Sequence, residues 1–145
     1  MPFSSRVLLT GATGYIGGRL LSVLEVSGRP LRCFARRPEA LRAKAAASTE
    51  IVGGDLLDSE ALATAMADVH TAYYLVHSMG AHGDYRQADM DAARAFGAAA
   101  RAAGVQRIIY LGGLAHDDGA LSKHLRSRLE TGEALRETTE VDDAL

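Results

Sequence analysis

The stretch "VLLTGATGYIGGRLL", Val7 to Leu21, sets three glycines, Gly11, Gly14 and Gly17, at every third position between an apolar run and a segment of helical spacing. Arg6–Thr10, "RVLLT", is short, continuous and bounded by Gly11, as expected of a strand buried on both faces. Tyr15–Val26 reads as a helix with Ile16, Leu20, Leu21 and Leu24 on one side, and Gly28 and Pro30 stop it. Strand, glycine turn and helix in direct succession are the context in which this pattern cradles a dinucleotide. The first glycine permits a tight turn, the second lets backbone approach a pyrophosphate, and the third lets helix and strand pack closely. The pyrophosphate would meet free N–H groups and the positive end of the helix. Gly11, Thr13, Gly14, Tyr15, Ile16 and Gly17 are therefore the candidate cradle. No Gly-Lys-Ser/Thr follows, which excludes a P-loop.

Outward from this stretch, apolar β-type runs keep alternating with helical segments. Leu31–Ala35 is a second strand, and Pro38 opens a helix to about Ala46. Glu50–Gly53 is a brief third strand, and Ser59 is placed to cap a helix over "EALATAMA". Thr71–His77 is a fourth strand. Tyr85–Ala103 is the longest helix, with a stripe of Ala92, Phe96, Ala99, Ala100 and Ala103, and Gly104 ends it. Arg107–Leu111 is a fifth strand, and Ser122–Glu137 is helical with Leu125, Leu129 and Leu135 inward. The alternation implies an α/β fold, a doubly wound parallel sheet of five strands with right-handed crossovers. Residues 1–137 form one domain, and 138–145 form an acidic tail that offers no sixth strand.

Bulk properties bound the function. The 145 residues suit one domain, and the net charge of −2 gives no reason to expect a nucleic-acid surface. Cys33 is the only cysteine, so no internal disulfide or cysteine-based metal cluster is expected. His70, His77, His82, His116 and His124 lack metal-ligand spacing, and "HDDG" (His116–Gly119) reads as a polar loop, so no metal is expected. The N-terminal apolar run is too short for a signal peptide, and no segment approaches the roughly 20 apolar residues that cross a bilayer. A cytoplasmic location without membrane contact is the simplest expectation. A Gly-x-Ser-x-Gly elbow is also missing, so hydrolase chemistry lacks its nucleophile.

At the end of the second strand an acid would bind the ribose 2′-hydroxyl of NAD. The sequence there is "FARRPE", with Arg36 and Arg37 and no acid before Glu39. Two guanidiniums suit a 2′-phosphate, which arginine grips bidentately, so NADP is expected over NAD. A solvated basic pair before a helix is the alternative. After the third strand, in "GGDLLD", Asp55 can accept from the adenine amino group with Leu56 flanking the ring, or it can cap a turn.

With these pieces in place the chain resembles the atypical short-chain dehydrogenase/reductases, in their NmrA-like, NAD(P)H-binding branch. The resemblance rests on "TGATGYIGGRL", "ARRPEAL", "GDLLD", "YYLVHSM" and "AGVQRIIYLGGL", and covers Val7 to Arg136. It implies a Rossmann domain of strand order 3-2-1-4-5, with Val76, His77 and Ser78 beside the ribose and nicotinamide. Two departures stand out. Where catalytic members carry Ser after the fifth strand and then Tyr-x-x-x-Lys, this chain has Gly112 and Gly113, and no tyrosine is followed by Lys four residues on. His124 and Arg128 occupy the expected place at the same spacing and are the candidate catalytic pair. The second departure is length, since family members continue into a substrate lobe. A fifth strand left as a sheet edge would suit a homodimer. The expected function is an NADP(H)-binding domain of oxidoreductase or epimerase type. A non-enzymatic NADP(H) sensor and an inactive fragment are the alternatives.

Overall fold

The computed structural model describes residues 5–76, 85–111, 123–138 and 141–144. Its elements follow in the order β1 (Arg6–Thr10), α1 (Tyr15–Val26), β2 (Leu31–Ala35), α2 (Pro38–Arg42), β3 (Glu50–Gly53), α3 (Ser59–Met66), β4 (Val69–Tyr74), α4 (Tyr85–Ala103), β5 (Arg107–Leu111), α5 (Lys123–Thr138) and β6 (Val141–Ala144). The sheet runs β3-β2-β1-β4-β5-β6, and each pairing is parallel. The expected order 3-2-1-4-5 is therefore present, in the doubly wound form.

Side-chain alternation along the strands splits the core between two faces. Leu8, Phe34, Ala72, Tyr74, Ile108 and Tyr110 pack under α3, α4 and α5. Val7, Leu9, Leu31 and Cys33 pack under α1, with Leu41 of α2. Both faces of the central strands are covered, which is why those strands read as continuous apolar runs. Among the described residues, no helix is long and apolar enough to cross a membrane.

Several sequence expectations need correction. The acidic segment after α5 does contribute a strand: Val141 to Ala144 pair with Ile108 to Leu111 of β5. Aspartate has poor intrinsic strand propensity, but a free row of β5 backbone donors and acceptors recruits the segment, and charge suits an edge position. The β5 strand is consequently not the edge, and the edge-based reason for a homodimer falls away. The α2 helix stops at Arg42, not near Ala46, because the Ala46 N–H is donated to the Glu25 carboxylate of α1 at 2.6 Å. The N-cap of α3 is Asp58, whose carboxylate accepts from the Glu60 and Ala61 N–H groups, and Ser59 is the first helical residue.

The β4 strand begins at Val69 and ends at Tyr74, level with Thr10, the last residue of β1, and with Tyr110 of β5. Ile16 is half exposed, and the inward face of α1 is Gly17, Leu21 and Leu24. On α4 the buried stripe is Asp89, Ala93, Phe96 and Ala100, with Ala92 only partly covered and Ala103 exposed at the end. Leu135 is buried in α5 and Leu129 partly so; the Leu125 side chain lies outside the described residues.

Candidate nucleotide site

Strand register assembles the site at the carboxyl edge of the sheet. Thr10 is level with Phe34 on one side and Tyr74 on the other, and Ala35 is level with Gly53. The chain therefore leaves β1 at Gly11, β2 at Arg36 and β4 at Leu75 from adjacent strands about 4.8 Å apart. Buried Thr10 ties two of these exits together by donating its hydroxyl to the Tyr73 carbonyl at 2.8 Å.

The three glycines differ in what the fold demands of them. Gly11 has φ +83°, and a Cβ there would lie 2.8 Å from the Leu75 carbonyl oxygen, so both conformation and space demand glycine. A Cβ on Gly17 would overlap the Gly11 carbonyl oxygen and lie 2.6 Å from its carbon, so α1 sits this close to the turn only without a side chain. Gly14 differs. Its φ is −80°, open to any residue, and a Cβ would meet only the Gly11 oxygen, at an ordinary 3.4 Å. The protein itself does not require glycine at Gly14, and the turn there is open to a group approaching from outside.

Gly14 is also the N-cap of α1, it supplies no side-chain hydrogen bond, and the first turn carries no acidic residue. The helix N–H ladder starts with Gly18 donating to Gly14 at 2.8 Å, so the N–H groups of the first turn stand open to an anion. Thr13, Tyr15 and Ile16 are exposed around it. The residues present fit a dinucleotide pyrophosphate.

Arg36 and Arg37 stand exposed just past β2, and among the described residues neither pairs with a carboxylate. Gly53 and Gly54 hold the neighbouring exit in place. A Cβ on Gly53 would press on Pro38 of α2 at 2.9 Å, one on Gly54 would lie 2.5 Å from the Ala61 Cβ, and the Gly54 N–H is donated to Ala35. Sequence reading passed over this pair, although two consecutive glycines at a strand end were a visible signal of close packing.

Asp55 next to them is exposed, and its Oδ1 accepts from the Leu57 N–H at 2.9 Å. One carboxylate oxygen thus closes the turn, the plainer of its two expected roles. Leu56 is half-buried against the core, and the exposed apolar neighbour is Leu57.

Val76, just past β4, is also half-buried against the α3–α5 side of the core. His77 and Ser78 lie outside the described residues, as do Gly112, Gly113 and the "HDDG" segment. His124 and Arg128 both fall within α5, but their side chains lie outside the described residues. Among the described residues, no cluster of His, Cys, Asp and Glu could hold a metal ion. Beneath this side of the sheet Tyr74 packs edge-on to Phe96, ring centroids 4.7 Å apart, and near Tyr110. Burial, then the neighbouring Asp89 and Tyr110, push the Tyr74 hydroxyl above the ordinary tyrosine range, so it stays protonated.

Comparison with known proteins agrees with this geometry. The model of a family described as NAD(P)H-binding matches residues 11–145. A 3-beta-hydroxysteroid dehydrogenase of Mycolicibacterium neoaurum is 32% identical over 115 residues, 72% of this chain and 31% of that protein. The Citrobacter sp. triphenylmethane reductase complexed with NADP(H) superposes with a TM-score of 0.77 at 27% identity, over 94% of this chain and 48% of that one. An NADPH-dependent quinone oxidoreductase from Escherichia coli, complexed with NADPH, gives 0.76 at 26% identity, over 94% and 47%. The chain thus spans about a third of the length of that curated relative and about half that of the solved structures.

Proposed function

The chain belongs to the NAD(P)H-binding family, and on that premise we propose that it prefers NADP(H) to NAD(H) and serves as the nucleotide half of an oxidoreductase. The observation that carries the preference is the pair Arg36 and Arg37. They are exposed at the exit of β2, beside the β1 exit, with no carboxylate partner among the described residues. A guanidinium left uncompensated at the place where the adenosine ribose lies suits a 2′-phosphate, and no acid stands there to take a 2′-hydroxyl instead. The two similar structures that contain NADP(H) and NADPH point the same way. When bound, the reduced cofactor supplies a hydride. The chain's own part is to hold the pyrophosphate on the first turn of α1, orient the adenosine between the β2 and β3 exits, and leave the β4 exit facing the reactive end.

Titration with NADPH and NADH tests this reading. NADPH is expected to bind at least about tenfold tighter, a difference of roughly 1.4 kcal/mol. Replacing Arg36 and Arg37 together by Ala should remove that margin while leaving NADH affinity in place. Equal affinities in the unaltered protein would sink the preference.

A second reading, a sensor that binds the nucleotide without turnover, is favoured by the missing Tyr-x-x-x-Lys and by glycines in place of the serine after β5. A sensor must separate NADPH from NADP⁺ by affinity, so equal binding of the two would count against it.

A further inference from the structure

We propose that Arg19, carried on the ring of Tyr15, is a third cation of the nucleotide site and engages the pyrophosphate, whereas Arg36 and Arg37 read the 2′-phosphate; this rests on the cofactor reading above. The guanidinium carbon of Arg19 stands 4.7 Å from the centroid of the Tyr15 ring. Tyr15 is the first residue of α1, directly after Gly14, and is 76% exposed. Its ring contributes little to the core, and what it does hold is the arginine.

Three features aim this pair at the pyrophosphate. Helical side chains lean toward the helix N-terminus, so Arg19, one turn into α1, projects back over the open first-turn N–H groups. The N-terminal end of a helix carries partial positive charge and favours anions, so a cation leaning there adds to charge of its own sign. No acidic residue in the first turn offsets it, and among the described residues Arg19 pairs with no carboxylate. A bound diphosphate removes this local conflict.

Position separates the roles. Gly17 faces the sheet, and Tyr15 and Arg19 each lie about 200° around the helix from it, on the outer side. Arg36 and Arg37 stand instead at the sheet edge, past β2. The two groups of cations border the nucleotide from different sides, with the helix N-terminus between them. Arg19 therefore closes the outer side of the pyrophosphate cradle and acts alike on phosphorylated and unphosphorylated cofactors.

The test is equilibrium binding of NADPH, NADH, ADP-ribose and 2′-AMP by calorimetry. Arg19→Ala should weaken NADPH, NADH and ADP-ribose by about tenfold each, as expected for loss of a charge-assisted contact, and leave 2′-AMP within about twofold. Tyr15→Leu should cost about threefold on the same three ligands by releasing the guanidinium, and Tyr15→Phe should restore binding because the π-face is kept. All these side chains are exposed, and circular dichroism should show each variant folded. A loss confined to NADPH and 2′-AMP would assign Arg19 to the 2′-phosphate and overturn the proposal. Unchanged binding in Arg19→Ala would overturn it too, while leaving the cofactor reading intact if the Arg36/Arg37 variant still loses NADPH. Absence of all nucleotide binding in the unaltered protein would overturn both.

Discussion

The two ends of the sheet treat arginine in opposite ways. At the amino edge Arg32 of β2 is 7% exposed, and its guanidinium donates to the Ala65 and Ala67 carbonyls at 2.6 and 2.7 Å, at the C-terminal end of α3. Glu50 of β3 stands 3.2 Å from Arg32 and 3.4 Å from Arg6. Positive charge there meets the negative end of a helix and a carboxylate, so the edge is electrostatically closed. At the carboxyl edge Arg19 stands one turn into α1 and Arg36 and Arg37 just past β2, with no carboxylate partner among the described residues. The same residue type stabilises the fold at one end and is left available at the other. The charge that the chain does not satisfy itself stands at the end of the sheet where we propose the nucleotide to bind.

Substitutions can break this contrast. The largest effect is expected for Gly17→Ala, whose methyl would overlap the Gly11 carbonyl. Forcing α1 off the turn should cost about 3 kcal/mol, visible in chemical denaturation, and abolish nucleotide binding with it. At the opposite end Arg32→Met should cost about 2–3 kcal/mol, because the α3 carbonyls lose their buried donors, while nucleotide affinity holds. A fall in affinity there would mean that the two ends are not independent.

Gly14→Ala should show the reverse pattern. Its methyl fits the free protein, so stability should fall only by the roughly 0.5 kcal/mol of a poorer N-cap residue, while NADPH and NADH affinities drop about tenfold, or roughly 1.4 kcal/mol. A matching loss of stability would show that Gly14 serves the fold.

The smallest effect lies between the ends, at Cys33 in the middle of β2. Burial first, and Glu25 second, push its thiol from 9.0 up to about 12. The unfolded chain ionises near pH 9 while the folded chain keeps its proton, so this contribution is whole below pH 9 and is lost as pH rises toward 12. Denaturation at pH 8 and pH 10 should differ by about 1 kcal/mol from this group, and Cys33→Ala should remove that part of the difference. A pH dependence unchanged by the substitution would contradict the burial argument.

Legibility followed the range of the interactions. The glycine turn was readable because strand, turn and helix are contiguous, and Arg36 and Arg37 because a β2 exit lies at a set distance after such a turn. Gly14 and Gly17 look alike in sequence, yet only Gly17 is held to glycine by the Gly11 backbone, and Gly14 is open on its outer side. Helical periodicity points Ile16 inward, but the close contact at Gly17 turns it toward solvent. The Arg32 contacts with α3 were invisible, because they join residues 33 and 35 positions apart.

The sequence by itself determined the parallel α/β alternation, the β1-to-β5 order through its family resemblance, and the strand, glycine turn and helix proposed as the nucleotide cradle. These rest on local patterns: apolar runs, helical periodicity and glycine spacing. Tertiary structure alone decided that Val141–Ala144 joins the sheet, since "VDDA" has no strand pattern and pairs only because β5 offers a free edge. It alone also decided which arginines are neutralised and which are not. Charge pairing depends on what the folded chain brings within a few ångströms, and residue order does not carry that distance.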